Sequence, residues 1–301
     1  MAQEASAQLL DPAAIARAEA LGILAREIVE GFMVGENKSP FHGFSIEFSQ
    51  HREYSPGDDI RHLDWKVLGR TDRYYLKQYE QETNYVAHIL LDGSESMKYG
   101  SGKLTKFQYA KVMAACLAYV VLLQRDAVSL NIFDTGTRTY IPRTGNRDMI
   151  FEIAARLAAF EPTGGTGISQ VLHELAIQTR RRGIVILISD FFDDESKILE
   201  GIRHLRFSGH EVIVFQVLDP HELEFPFQGM VEFAGLEKTP KLLTRPSEIR
   251  KSYLAELENF LSALRLGCEK NHCHYTLVNT ANSLHEVLSG YLAFRRRTSA
   301  R

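Results

Sequence analysis

Three side chains with oxygen atoms, Asp92, Ser94 and Ser96, follow one apolar run in the sequence LLDGSES. The run at residues 85–91 is short and mostly apolar without clean alternation, which is typical of a strand covered on both faces of a parallel sheet. Open α/β sheets bind their ligands at the carboxyl ends of such strands. One carboxylate and two hydroxyls there are hard oxygen ligands, which suit Mg²⁺ or Mn²⁺.

Two later segments could add ligands at the same place. Gly164, Gly165 and Thr166 open a helix after a proline-containing loop, and Asp190 ends an apolar strand. In a doubly wound sheet these loops can lie side by side along the carboxyl edge. Each segment alone could be a helix cap or a turn, but all of them occur at strand ends in this order. The predicted metal ligands are Asp92, Ser94, Ser96, Thr166 and Asp190.

The elements that must position these residues follow from the alternation of apolar runs and helical patterns. This alternation predicts βαβ units and an α/β fold with a Rossmann-like, doubly wound and mainly parallel sheet. The predicted strands span residues 85–91, 127–133, 137–141 (a polar edge strand), 184–189, 211–218 and 275–278. One predicted helix begins at Thr105. The other predicted helices span residues 147–160, 168–180, 196–207, 247–269 and 283–294.

Residues 1–80 are predicted to precede this α/β domain as an N-terminal helix and a small β-containing extension. Asp11 is a plausible N-cap, and the helix should run to about residue 30. Alternating aromatic and aliphatic residues at 44–48 predict one strand, and residues 74–79 predict another.

Residues 81–301 are predicted to form the α/β domain itself. An insertion at about 220–246 interrupts its regular alternation. Within the insertion, residues 230–233 and 241–244 could pair as a small hairpin.

A charged and aromatic segment at residues 52–65 has two interpretations. It could be a turn followed by a capped helical piece, with Arg61 paired to an aspartate and Trp65 buried. It could instead be a recognition surface. Residue types alone favour the first interpretation.

A nucleotide-binding loop is not supported near Lys103, although glycines precede it between a strand and a helix. The phosphate-binding pattern would need glycine at Met97 and serine or threonine at Leu104. The spacing therefore excludes this motif.

The cysteines and histidines near residue 270 do not match a metal motif. Cys268, His272, Cys273 and His274 resemble no common zinc spacing, which favours an ordinary helix-to-strand junction. The three cysteines, Cys116, Cys268 and Cys273, are too few for a disulfide framework. We therefore expect reduced thiols and a cytoplasmic protein.

Composition limits the classes of function. A net charge of −3 gives no general basic field for nucleic acid. No apolar run approaches the ~20 residues needed to span a bilayer, and the N-terminal segment lacks the pattern of a signal peptide. We therefore expect no membrane insertion and no nucleic-acid partner.

The two motifs resemble known families. The serine- and aspartate-rich pattern, with Thr166 and Asp190, resembles the metal-ion-dependent adhesion site of von Willebrand factor A domains, with a core from about residue 85 to 294. The upstream segment resembles the signature of a bacterial family of unknown function, number fifty-eight in the usual numbering. The residues that carry this signature are Arg52, Tyr54, Pro56, Gly57, Asp58, Asp59, Arg61, Asp64 and Trp65.

The second resemblance implies a partner. Members of that family are commonly linked to MoxR-type AAA+ ATPases and are thought to act with them as adaptors or chaperone-like partners. Many relatives carry membrane helices, whereas none is predicted here. Under this resemblance, residues 52–65 are a family-defining element.

The chemistry of such a site explains binding without catalysis. Mg²⁺ prefers six oxygens at about 2.0–2.1 Å. When hydroxyls are the direct ligands and the aspartates bind through water, the metal stays electrophilic, and a partner's carboxylate can complete its shell. The predicted function is a non-enzymatic, metal-dependent protein-interaction module that uses Mg²⁺ or Mn²⁺, with Ca²⁺ also possible chemically.

The alternative is a metal-assisted hydrolase that uses the same acidic edge. The sequence contains no GxSxG or HExxH motif and no second carboxylate cluster able to hold two metals. These features favour the interaction module.

Overall fold

The computed structural model describes residues 25, 47–53, 67, 69–70, 74–80, 86–178, 182–235, 242–284, 287–289 and 291. Of the predicted N-terminal helix only Ala25 is described, and it is helical and buried in the main core. Of the predicted C-terminal helix, residues 284, 287–289 and 291 are helical. The rest of both predicted helices lies outside the described residues.

Ten strands are present in the described residues, and six of them form one sheet in the order β10-β7-β6-β3-β4-β5. All its neighbouring pairs are parallel except β4 and β5, which confirms a mainly parallel sheet with β5 as an antiparallel edge strand. The strands are β1 (Glu47–Glu53), β2 (Tyr75–Glu80), β3 (Val86–Asp92), β4 (Ala127–Phe133), β5 (Thr137–Thr144), β6 (Ile184–Ser189), β7 (Glu211–Leu218), β8 (Val231–Phe233), β9 (Leu242–Thr244) and β10 (His274–Asn279).

Helices cover both faces of this sheet, as expected of a doubly wound fold. On β3, Ile89 and Leu91 join a core with α1 and α2, whereas Leu90 joins a core with α3, α4 and α6. The described helices are α1 (Lys106–Leu123), α2 (Met149–Ala159), α3 (Ile168–Gln178), α4 (Glu195–Phe207), α5 (Pro220–Glu224) and α6 (Pro246–Lys270).

Two smaller antiparallel pairs accompany the main sheet. β1 pairs with β2, with an irregularity between Phe48 and Gln50. Of the strand predicted at residues 44–48, residues 47 and 48 lie in β1, and residues 44–46 lie outside the described residues. β8 pairs with β9 inside the predicted insertion.

Helix α1 begins at a capping box and is buried on nearly every side. Thr105 Oγ1 accepts from the amide of Gln108 at 3.1 Å, and Gln108 Oε1 accepts from the amide of Thr105 at 2.9 Å. It is buried in this way because it packs against the sheet, α2 and Ala25 together. Its length and composition would suit a membrane span, but 78% of it is buried inside the fold.

Candidate metal site

β3 and β6 are neighbours at the topological switch point, where the order in which the chain adds strands to the sheet reverses. From β3 the chain continues to β4 and β5 on one side, and then returns to β6 on the other. Asp92 ends β3 and Asp190 follows β6, and both residues are fully buried. Ligand sites of open α/β sheets form at such switch points.

The loop after β3 is held in a tight conformation. Ser94 donates its amide to Asp92 Oδ1 at 2.9 Å, and the hydroxyl oxygens of Ser94 and Ser96 lie 3.0 Å apart. Gly93 lies between Asp92 and Ser94, and a Cβ on it would be 2.4 Å from Phe160 Cε1, so only glycine fits without displacing that ring. The loop thus brings two hydroxyls next to a buried carboxylate.

The loop that carries Thr166 is docked on the loop after β3 by backbone hydrogen bonds. Glu95 donates its amide to Gly164 O at 2.9 Å, and Thr163 donates to Gly93 O at 3.0 Å. Gly164 has a φ of 73°, a left-handed conformation that favours glycine. The structure therefore brings together the two hydroxyl-bearing segments that the sequence predicted to converge.

The Thr166 hydroxyl is an orphaned polar atom. Its Oγ1 is buried and has no hydrogen-bond partner among the described residues. A buried polar group without a partner costs about 1–3 kcal/mol. A divalent ion bound by the nearby hydroxyls would give this oxygen a partner, so the residues present fit a metal.

Both aspartates, in contrast, are already held by donors from the protein. Asp92 Oδ2 accepts from Ser189 Oγ at 2.5 Å, in addition to the Ser94 amide on Oδ1. Asp190 Oδ1 accepts from the amide of Phe192 at 3.2 Å, and its Oδ2 accepts from Lys106 Nζ at 2.8 Å. This arrangement favours hydroxyls as direct metal ligands and carboxylates as ligands through water.

Lys106 is a buried charged residue at the candidate site that the sequence analysis did not single out. Its side chain is 1% exposed, and its Nζ lies 2.8 Å from Asp190 Oδ2 and 2.6 Å from Glu222 Oε1. The rings of Phe192 and Tyr99 lie 5.0 and 6.0 Å from the same nitrogen. Burial lowers the pKa of Lys106, but the two carboxylates raise it by more, so the net shift is upward and the amine is a charged ammonium.

Glu222 lies in α5, directly after β7, and the sequence analysis did not single out this strand end. Asp219 follows β7 and caps α5, and Glu222 Oε2 accepts from its amide at 2.8 Å. Asp219 Oδ1 accepts from Ser101 Oγ at 2.5 Å, which ties this strand end to the loop before α1. The pattern of an aspartate directly after an apolar strand was the signal that could have revealed it.

Burial raises the pKa of Asp92 to about 7, and the neighbouring Asp190 carboxylate adds to the rise. The folded pKa is above the ordinary value of 3.8, so the stabilising contribution is present at low pH and is lost as pH rises through about 7. We expect the free energy of unfolding in EDTA to fall between about pH 4 and about pH 7, and this group to add no further change above that range. Urea unfolding should show this fall in the natural chain but not in Asp92→Asn. Equal pH slopes in the two proteins would contradict it.

The Cys/His segment is a helix-to-strand junction, as expected. α6 ends at Lys270 and β10 begins at His274. Cys268 lies in α6 and Cys273 lies between the two elements, and both cysteines are buried. In the described part of the chain, no group of three or more His, Cys, Asp or Glu residues could hold a metal ion. The candidate site differs from such groups because three of its five predicted ligands are hydroxyls.

Of the upstream signature, only Arg52 is described, and it lies in β1 opposite Leu76 of β2. The other signature residues lie outside the described residues: Tyr54, Pro56, Gly57, Asp58, Asp59, Arg61, Asp64 and Trp65. Their predicted role as a family element is not placed relative to the metal site.

The mainly parallel sheet, with its Asp-x-Ser-x-Ser loop at the switch point, defines a Rossmann-like, doubly wound α/β domain. The chain belongs to the family described as "Protein of unknown function DUF58", whose model matches residues 50–259. An uncharacterized protein of Mycobacterium bovis is 28% identical over 234 residues, which cover 75% of this chain and 72% of that protein.

Two solved structures resemble the chain. The conserved hypothetical protein BatB from Bacteroides thetaiotaomicron matches with 19% identity and a TM-score of 0.49, covering 71% of this chain and 99% of that one. The VWA domain of SpRpn10 matches with 13% identity and a TM-score of 0.41, covering 69% and 94%. These likenesses are partial, and the candidate site rests on the geometry described above.

Proposed function

We propose that this chain is a non-enzymatic protein-interaction module that binds an acidic side chain of a partner through a divalent ion. The ion is Mg²⁺ or Mn²⁺, with Ca²⁺ a further candidate because all proposed ligands are oxygens. Ser94, Ser96 and Thr166 would hold it directly, and Asp92 and Asp190 through water. When bound, the ion supplies an electrophilic centre for the partner's carboxylate.

The observation that carries this proposal is the division of hydrogen bonds within the site. Among the described residues Thr166 Oγ1 has no hydrogen-bond partner, while every carboxylate oxygen of Asp92 and Asp190 already accepts a hydrogen bond from the protein. Neutral hydroxyls leave more positive charge on the ion than direct carboxylates would. An ion held in this way favours an added anionic ligand over hydrolysis.

The partner that we propose to test first is a MoxR-type AAA+ ATPase, because of the resemblance to family fifty-eight. The chain would act with it as an adaptor or chaperone-like partner. We expect this interaction to take place in the cytoplasm, where the three buried cysteines would remain thiols.

The experiment is a binding titration between the purified chain and a purified MoxR-type ATPase from the same cell. Binding should be present in Mg²⁺, be lost in EDTA and return when Mg²⁺ or Mn²⁺ is restored. It should also fall in a folded Thr166→Ala variant. The proposal fails for this partner if binding is equal in EDTA and in Mg²⁺.

The alternative, a metal-assisted hydrolase, makes a separate prediction. Hydrolysis with two metals needs carboxylates to hold both ions, and the described residues contain no group of three or more His, Cys, Asp or Glu residues that could do so. A screen for phosphatase and nuclease activity with Mg²⁺ and Mn²⁺ should therefore find no turnover. Turnover that disappears in Asp92→Ala would favour the hydrolase instead.

A further inference from the structure

Lys106 places a fixed positive charge inside the candidate metal site. Its position is set by the first turn of α1, where the Thr105 capping box orients the helix. The ammonium lies between Asp190 on one side and Glu222 on the other, at 2.8 and 2.6 Å. With its side chain 1% exposed and the rings of Phe192 and Tyr99 beside it, the ammonium is shielded from solvent.

We propose that Lys106 is a built-in counter-cation that restrains Asp190 from binding the metal directly, and so keeps a coordination position for a partner's carboxylate. The inference rests on the proposed function and adds a residue that determines how the site works. Asp190 Oδ2 is the oxygen bound by Lys106, and Oδ1 is bound by the Phe192 amide. An ion bound directly to Asp190 would lie close to the Lys106 ammonium, which is 2.8 Å from Oδ2 and would repel it.

Charge supports the same role. With all three carboxylates ionised, Asp92, Asp190 and Glu222 carry three negative charges, and Lys106 compensates one of them. A divalent ion can then neutralise the remaining two. Without Lys106 the cluster would bind the ion more strongly, because attraction to an added carboxylate replaces repulsion from an ammonium in a partly desolvated site.

A purely structural role for Lys106 predicts a different result. If Lys106 only anchored α1 to the end of β6 and to α5, its loss would lower the stability of the protein. Metal affinity would then be unchanged or weaker. The counter-cation role predicts tighter metal binding despite any loss of stability. Metal affinity and stability therefore change in opposite directions only under the proposed role.

The first measurement is calorimetric titration of Mg²⁺ into the natural chain and into Lys106→Met. We expect Lys106→Met to bind Mg²⁺ at least about tenfold more tightly. The second measurement is water-proton relaxation of bound Mn²⁺, in which the number of exchanging waters should fall by one as Asp190 replaces a water. Both proteins in this second measurement carry His173→Ala, because His173 and His204, with Nδ1 atoms 2.9 Å apart, could bind Mn²⁺ separately.

A charge-balanced variant is the control. Lys106→Met/Glu222→Gln removes one positive and one negative charge, so the net charge of the cluster is unchanged while Asp190 is released. It should still bind Mg²⁺ more tightly than the natural chain. If Lys106→Met alone does not fold, the Mg²⁺ affinity of the double variant tests the counter-cation role. If neither variant folds, the role of Lys106 is to stabilise the fold, and the inference is overturned.

The outcomes separate the two proposals. If the natural chain shows no Mg²⁺ binding, the proposed function and this inference both fail. If the natural chain binds Mg²⁺ but the folded variants bind it equally or more weakly, the counter-cation role alone is overturned.

Discussion

Replacing Asp92 with alanine is expected to abolish Mg²⁺ binding while the chain remains folded. Asp92 is fully buried beside Asp190, and burial and that neighbour raise its pKa to about 7, so a bound cation would favour the ionised form of its carboxylate. Its removal should weaken Mg²⁺ binding by at least about a hundredfold, or about 2.8 kcal/mol. Calorimetric titration with circular dichroism as a check of folding measures both effects.

The matched control for this variant is Asp126→Asn. Asp126 is also a buried aspartate, 4% exposed, but it precedes β4 at the opposite, amino edge of the sheet. Its neutralisation should leave Mg²⁺ affinity unchanged. If folded Asp92→Ala binds Mg²⁺ like the natural chain, Asp92 is not a ligand.

The central strands could be predicted because their sequences are continuous apolar runs. β4, β6 and β7 occupy the residues predicted for them, and β3 extends one residue past its predicted end, to Asp92. A strand buried on both faces has this signature regardless of its partners. The fold class follows from the same runs, since helices separate them.

The polar strand β1 and the burial of α1 could not be predicted in the same way. β1 contains Ser49, Gln50 and His51 in its middle, and no apolar alternation marks it. It exists through its pairing with β2, which residue patterns do not encode. The burial of α1 on all sides likewise depends on elements that cover it from several directions.

The candidate site was predictable only in part. Asp92, Ser94 and Ser96 are close in sequence, so their spacing already places them together. Lys106 and Glu222, however, are 116 residues apart, and a lysine in the first turn of a helix is ordinarily solvent-exposed. Only the folded chain shows that this lysine is buried between two carboxylates, and that the acidic edge therefore contains its own cation.

Thr166→Val is expected to weaken metal binding without destabilising the protein. Valine has nearly the same shape as threonine but lacks the hydroxyl. Because Thr166 Oγ1 is buried without a partner among the described residues, its loss should leave the free energy of unfolding unchanged or raise it by about 1 kcal/mol in EDTA. The same change removes one direct ligand, so Mg²⁺ affinity should fall by about tenfold or more, which is about 1.4 kcal/mol.

The two expected changes are measured by urea unfolding in EDTA and by calorimetric titration with Mg²⁺. The matched control is Thr139→Val on the edge strand β5, which removes a threonine hydroxyl outside the candidate site and should leave Mg²⁺ affinity unchanged. If the threonine hydroxyl served only the fold, its removal would lower the stability of the protein and leave its Mg²⁺ affinity unchanged. That result for Thr166→Val would exclude its hydroxyl from the metal site, whereas stability retained together with weakened Mg²⁺ binding identifies a hydroxyl whose partner is the ion.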